Sequence, residues 1–255
     1  MRRGPSDASH IHPHSTPEKD ELKSGIPALG GYDLGVEKLW LSWSTGKDSA
    51  WSLKVLRERR EYDVTGLLTT VNSAFDRVAM HGTRRRIAES QADAAGLPLH
   101  AFDLPWPCSN DQYERIMADA CSKALSEGVT AIAFGDLFLQ EIRDYREKQL
   151  HGTGLKPIFP LWQLPTHQLA REMVAGGLRA KLVCVDPAKL ESSFAGRDFD
   201  EELLASLPPT VDPCGENGEF HTCVYAGPMF ARNLSVQIGS LMERQGFCYC
   251  DLLPA

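Results

Sequence analysis

Several stretches of this 255-residue chain carry side chains able to do chemistry. Ser42-Trp43-Ser44-Thr45-Gly46-Lys47-Asp48-Ser49 follows the apolar run Leu39 to Leu41. The pattern predicts a short strand feeding a turn that opens a helix, in which Ala50, Leu53 and Leu56 recur at helical spacing. Such a turn aims several backbone N–H groups and the positive end of a helix at one spot, so it can hold phosphate. Lys47 adds a point charge, Ser44 and Ser49 add hydroxyls, and Asp48 offers a carboxylate for a metal or for the helix N-terminus. The turn is not a Walker A loop: that pattern needs Gly at position 41 and Ser or Thr at position 48, where the chain has Leu41 and Asp48. A plain Ser/Thr-capped helix start is the competing reading.

Gly135-Asp136 follows a second apolar run, Ala131 to Phe134. Magnesium prefers one or two carboxylates plus phosphate oxygens, which makes Asp48 and Asp136 its candidate ligands; a helix cap is the alternative role for Asp136. Arg143 and Arg146 fall on one face of a predicted helix and could clamp a carboxylate or phosphate. Surface pairs with Asp144 and Glu147 compete with that role. Glu216, Glu219 and His221 sit in or beside a glycine-rich segment, as a candidate general base or a hold on an acceptor. Cys214, His221 and Cys223 lack the paired CxxC or HxxxH spacing of a zinc site. Cys248 and Cys250 alternate on a predicted strand and read as packing residues.

The elements that must position these groups alternate. Strands are expected at Leu39–Trp43, Val64–Val71, Leu99–Leu104 and Val129–Phe134, and helices at Lys47–Arg60, Arg84–Ala95 (stopped by Gly96) and Asp111–Glu127. In the last of these Tyr113, Ile116, Met117, Ala120, Cys121, Ala124 and Leu125 make one apolar stripe, read as core. Strands alternating with helices imply an α/β fold with a doubly wound parallel sheet covered on both faces. Ser44, Thr69-Thr70 and Gly135-Asp136 all follow predicted strands, so they should converge on one crevice at the strand carboxyl ends. Beyond residue 150 the rhythm changes: Pro157, Pro160 and Pro165 punctuate a loop, followed by a helix over Thr166–Ala175, a strand over Leu178–Val185, a turn at Phe194-Ala195-Gly196-Arg197, a short helix over Asp200–Leu207, and strands at Phe220–Tyr225 and Val236–Gly239. The division expected is a disordered tail over 1–35, a nucleotide-binding domain over 36–150, a smaller substrate-facing subdomain over 151–240 and a C-terminal segment over 241–255. The tail reading follows from its prolines, glycines and few apolar residues; His10, His12 and His14 within it are opportunistic metal ligands at most.

Ser44-Thr45-Gly46-Lys47-Asp48-Ser49 is similar to the SGGKDS signature of the PP-loop ATP pyrophosphatases, with Thr45 where Gly is usual. The ordered set Gly135-Asp136, Arg143-Asp144-Tyr145-Arg146, Pro160-Leu161-Trp162 and Gly215-Glu216-Asn217-Gly218-Glu219-Phe220-His221-Thr222 resembles the diphthine–ammonia ligase branch of that superfamily. The resemblance extends from residue 37 to 230. Asn217 stands where Gly is usual and His221 where Glu is usual, in the element expected to touch the acceptor. It implies a Rossmann-like fold of the PP-loop ATPase/HUP type, and cleavage of ATP between the α and β phosphates with transfer of the adenylyl group. An AMP-forming ligase would activate a carboxylate for amidation by ammonia or an amine. Ser44 through Ser49, Gly135 and Asp136 would hold ATP and Mg2+, with Lys47 and Asp48 acting on the pyrophosphate, where charge builds as it leaves. The resemblance places adenine and ribose near Thr69, Thr70 and Asn72, gives Arg143, Arg146 and Glu216 to the acceptor, and Glu219 and His221 to catalysis. A non-catalytic ATP-binding regulatory module and a tRNA-modifying PP-loop enzyme are the alternatives; homodimerisation through the C-terminal part is also compatible with it.

Composition sets the outer bounds. A net charge of −7 argues against a nucleic-acid partner, since polyanion affinity needs clustered positive charge. Thr83-Arg84-Arg85-Arg86 is the single short basic cluster and reads as a solvated face. No apolar run approaches the ~20 residues needed to span a bilayer. Met1 to Pro5 lacks the apolar core of a secretory signal, and seven scattered cysteines form no disulfide framework, so a cytoplasmic setting is expected.

Overall fold

Leu39 and Leu41 point to one side of the first strand and Trp40 to the other, yet all are fully buried. A strand apolar on both faces must be covered on both, as in the middle of a parallel sheet. The computed structural model, which describes residues 36–255, has this strand, β1 (Glu37–Ser42), at the centre of its first sheet. The expected tail over 1–35, with His10, His12 and His14, lies outside the described residues. β1 pairs in parallel with β2 (Tyr62–Asn72) on one edge and β5 (Val129–Ala133) on the other. β2 is extended by β4 (Leu99–Leu104) and β5 by β6 (Lys156–Ile158), again in parallel. The short β3 (Arg77–Val78) runs antiparallel against the end of β2. The parallel strands therefore lie in the order β4-β2-β1-β5-β6, and the direction of winding reverses between β1 and β5.

Leu39 and Leu41 pack into a core with residues of α1 (Lys47–Arg59) and α2 (Arg85–Ala95), such as Leu53 and Ile87. Trp40 joins the opposite layer, with Ala120 and Ala124 of α3 (Asn110–Ser126) and Leu150 of α4 (Gln140–Leu150). The α3 start is fixed by a capping box: Gln112 N donates to Ser109 Oγ (3.3 Å) and Ser109 N donates to Gln112 Oε1 (3.0 Å). This is the doubly wound α/β sheet the alternation predicts.

The remainder of the chain builds a second, antiparallel sheet. It comprises β7 (Arg179–Val185), β8 (Phe220–Ala226), β9 (Val236–Arg244) and β10 (Phe247–Pro254) in the order β8-β7-β10-β9. Helices α5 (Thr166–Ala175) and α6 (Glu201–Ser206) complete it, α6 capped by Asp200, whose Oδ1 accepts from Leu203 N (2.8 Å). The two sheets share one continuous core, from Leu41 and Leu53 to Leu182, Phe220 and Leu252. An ion triad around the buried Asp251 also ties them: Asp251 of β10 accepts from the partly exposed Arg77 Nη1 (2.8 Å) and Arg84 Nη2 (2.6 Å).

The structure differs from sequence expectation at several points. β3 and β6 are additional; at two and three residues they are too short to leave an alternating pattern in the sequence. Leu125 is 40% exposed, because the stripe on α3 is buried mainly at Ala120, Cys121 and Ala124. Tyr113 and Met117 are half-buried at the wall of a crevice instead of in the core. Arg84 and Arg85 form no solvated basic face: Arg84 binds Asp251, and Arg85 pairs with Asp76 and Asp103. Among the described residues, no helix is long and apolar enough to cross a membrane.

Candidate active site

The turn after β1 folds through a conformation unusual for its sequence. Thr45 has φ +71°, the left-handed region that costs a non-glycine residue about 1 kcal/mol or more. Surrounding bonds hold it there. Thr45 Oγ1 lies 2.8 Å from Thr83 Oγ1, and the Thr45 carbonyl accepts from Val224 N (3.0 Å) and Gln91 Nε2 (3.0 Å). Gln91 is fully buried on the apolar face of α2; its Oε1 accepts from Trp43 Nε1 (2.8 Å) and its Nε2 also donates to the Val224 carbonyl (2.6 Å). Lys47 N, the first amide of α1, donates to Thr222 Oγ1 (3.0 Å). The second sheet therefore grips the turn through β8. Ser44 Oγ and Ser49 Oγ lie 3.2 Å apart, and Ser49 Oγ donates to the Gly46 carbonyl (3.0 Å).

A crevice of about 870 Å³ opens at the carboxyl ends of β1, β2 and β5, where the winding reverses. Ser44, Lys47, Asp48, Ser49, Thr69, Thr70, Gly135, Asp136, Arg146, Glu216 and His221 all line it. Lys47 is 2% exposed; Nζ pairs with Asp48 Oδ2 (2.8 Å), donates to the Cys214 carbonyl, and lies 5.5 Å from the Phe220 ring centroid. Burial pulls the Lys47 ammonium down, but the acidic groups around it, Asp48 first, together raise it above its ordinary value. Asp136 Oδ2 sits 3.6 Å from Arg146 Nε, beyond hydrogen-bond range. Burial pushes the Asp136 carboxyl up against the pull of Arg146, and Asp48 adds to the rise. Asp136 does not cap α4, whose N-cap is Leu139. Asp48 Oδ1 and Asp136 Oδ2 are both buried without a hydrogen-bond partner among the described residues. Two orphaned carboxylate oxygens, Asp48 at the turn after β1 and Asp136 after β5, would suit a magnesium ion that takes its remaining ligands from phosphate and water.

The backbone around these carboxylates leaves little room. A Cβ on Gly135 would stand 3.0 Å from Asp48 C and Ser49 N, so the loop after β5 lies flat on the first turn of α1. The glycine-rich segment closes the other wall. Gly215, at φ +68°, lets the chain fold back so closely that a Cβ would come 2.7 Å from the Phe220 carbonyl oxygen. Asp212 Oδ2 accepts from Cys214 N (3.1 Å) and Glu216 N (3.0 Å). Glu216 Oε1 reaches across to Leu137 N (2.7 Å); burial pushes its carboxyl up to about 7, against the pull of that N–H.

Of the remaining residues singled out by sequence, Cys214 lines the crevice, while Glu219, Arg143, Asn217 and Cys223 do not. Glu219 is buried and braces the segment, Oε1 accepting from Asp212 N (3.0 Å) and Asn217 Nδ2 (3.1 Å), with Oε2 unpaired. Arg143 pairs with Glu147 (2.7 Å) and stacks over Phe159 and Trp162 at 4.8 and 4.9 Å. Asn217 is exposed. Cys214 Sγ faces the Thr166 carbonyl and Cys223 Sγ faces Gln91, on separate partners. Sequence reasoning passed over His81, Met80 and Gln91. For Gln91 the signal was present, a polar residue among Ile87, Ala88, Ala92 and Ala95 on an apolar helix face; His81 sits in a turn with no motif.

A sheet wound in both directions, with a Ser-Thr-Gly-Lys-Asp-Ser turn at the reversal, defines an α/β protein of the Rossmann-like PP-loop type. Residues 165–252 match the family model of the diphthamide synthase C-terminal domain. The chain is 28% identical over 126 residues to the diphthine–ammonia ligase of Schizosaccharomyces pombe, covering 48% of this chain and 21% of that protein. To the diphthine–ammonia ligase of Homo sapiens it is 26% identical over 146 residues, 55% of each, and to that of Rattus norvegicus 26% identical over 134 residues, 51% of this chain and 50% of the relative. The matched part spans about half the length of the mammalian relatives and a fifth of the fission-yeast one. The chain is thus similar to the diphthine–ammonia ligases over about half of its length, and its C-terminal third matches the diphthamide synthase C-terminal domain.

Proposed function

We propose that this protein is an ATP-dependent ligase that adenylates a carboxylate and releases AMP as ammonia or an amine forms the amide. The observation that carries the reading is the convergence, in one crevice, of the phosphate turn, two orphaned carboxylate oxygens and a glycine-rich wall. The amides of Gly46 to Asp48 and the α1 N-terminus suit the triphosphate, and Lys47 suits the charge that builds on the departing pyrophosphate. Asp48 and Asp136 would hold Mg2+, which when bound neutralises phosphate charge. Thr69, whose buried Oγ1 lacks a partner, and Thr70 stand where adenine and ribose would lie. Arg146 and Glu216 face the crevice and suit an acceptor that carries charge or hydrogen-bonding groups. The names of the relatives support a ligase, and the acceptor is a carboxylate on a small molecule or a protein side chain. The cysteines, all free, suit a reducing cytoplasm.

The test incubates purified protein with Mg2+, ATP, ammonium and a cell extract supplying acceptors. AMP and pyrophosphate in equal amounts are expected, and Lys47→Ala should lower their release about 100-fold or more. ADP and phosphate as the products would defeat the reading.

A further inference from the structure

His221, a candidate base by sequence, meets a second imidazole in the crevice that no sequence motif marks. His81, from the turn after β3, and His221, on β8, place their ring centroids 4.6 Å apart with planes tilted by 36°. Both line the crevice. His81 Nδ1 lies 3.3 Å from the Thr222 carbonyl oxygen. A carbonyl only accepts, so Nδ1 carries the proton and Nε2 keeps its lone pair. The His221 ring nitrogens are neither hydrogen-bonded among the described residues nor among the buried unpaired atoms, so they open to the crevice.

Charging both rings at this distance is strongly disfavoured, so the pair carries at most one positive charge. The charged group that faces them is Lys47 of α1, and the Thr222 carbonyl faces His81 from β8. Burial and then Lys47 bring His221 down to about 4; burial and then His221 hold His81 well below its ordinary value. Both are therefore neutral at physiological pH, with a lone pair to offer. Phosphate charge on the adjacent turn would counter Lys47 and raise their basicity once nucleotide is bound. Glu216, the other titrating group in the crevice, has an oxygen committed to Leu137 N and faces the Asp48 and Asp136 side.

We propose that His221 is the base that takes the proton from the nitrogen nucleophile as it attacks the acyl adenylate, with His81 as the residue that positions it. Ammonium gives its first proton to the imidazole, the nitrogen–carbon bond forms as the bond from the acyl carbon to the AMP oxygen breaks, AMP leaves with that electron pair, and the second nitrogen-bound proton is released to water. The inference rests on the ligase reading and adds to it the group that makes the nucleophile competent.

The test compares ammonium with hydroxylamine as the nucleophile in the extract-supplied assay, using the full chain. Ammonium must lose a proton to attack, whereas hydroxylamine is largely uncharged near neutrality. His221→Gln and His81→Gln should lower ammonium-supported AMP release about 100-fold, and by at least tenfold more than hydroxylamine-supported release. In His221→Gln the ammonium-supported rate should climb about tenfold per pH unit as free ammonia takes over, a slope the wild type lacks. Calorimetric ATP binding confirms that each variant is folded. Equal losses with both nucleophiles, a wild-type pH profile in the variants, or that slope in Glu216→Gln in their place would overturn the assignment. Nitrogen NMR of the histidine-labelled wild-type chain gives a check free of variants: His81 should be the Nδ1-protonated tautomer, and the Nε2-protonated form would overturn it. Wild-type protein that releases no AMP with either nucleophile would overturn the ligase reading and this role together, whereas normal release with unaltered variants overturns the histidine role alone.

Discussion

Thr45 carries the chemistry of the turn in its backbone. At φ +71° a glycine is relaxed and a threonine is strained, yet the Thr45 hydroxyl meets Thr83 at 2.8 Å in a fully buried setting. Thr45→Gly relieves the strain while losing the hydroxyl contact; Thr45→Ala loses the contact and keeps the strain. Thr45→Ala should therefore be the less stable of the two by about 1 kcal/mol, read from urea denaturation midpoints. His221 gives a second prediction. Its pKa falls from 6.5 to about 4 on folding, first through burial and then through Lys47. Between those values the unfolded chain binds more protons than the native one, so stability falls as pH is lowered through that window. His221→Gln should flatten the dependence of unfolding free energy on pH by up to about one proton across it, and an unchanged slope would count against a buried neutral imidazole.

At the scale of elements, the site depends on two loops lying flat on the start of α1. Gly135→Ala would put a methyl 3.0 Å from Asp48 C and Ser49 N, backbone atoms that cannot swing aside. The expected result is an ATP affinity at least tenfold weaker by calorimetry, with the overall helix content of the chain retained. How much of this was legible follows from where each signal lives. Strand β4 and helix α5 were readable to their ends because their boundaries are set locally, by Gly96-Leu97-Pro98 before one and Pro165 and Gly176 around the other. The phosphate turn was readable for the same reason, as strand, turn and helix are contiguous. β3 and β6 were not, because two and three residues are too few to show a period, and the place of β10 beside β7 was not, because that partner lies far away in sequence. His81 was missed on the same physical ground: only folding brings it from the turn after β3 to the side of His221.

Across the whole molecule, the Ser44–Ser49 turn and the glycine-rich wall of the crevice belong to different sheets, and the bonds between sheets set how well the proposed site is assembled. Asp251 of β10 is 7% exposed and tied to Arg77 and Arg84, on β3 and at the start of α2. Burial pushes its carboxyl up, but the two guanidinium groups together hold it below the ordinary carboxylate range. A depressed carboxylate contributes stability that is complete above its unfolded pKa of about 4 and lost as pH falls through the folded value. Asp251→Asn should therefore cost about 2 kcal/mol at neutral pH and progressively less in acid below that point, by chemical denaturation. The central claim, that this assembled crevice opens ATP between its α and β phosphates, is tested most directly with methylene analogues. In the extract-supplied assay, β,γ-methylene-ATP should still yield AMP and α,β-methylene-ATP should yield none, with Lys47→Ala inactive on both. Release of the terminal phosphate from α,β-methylene-ATP, or no AMP from the β,γ analogue while it remains bound, would contradict it.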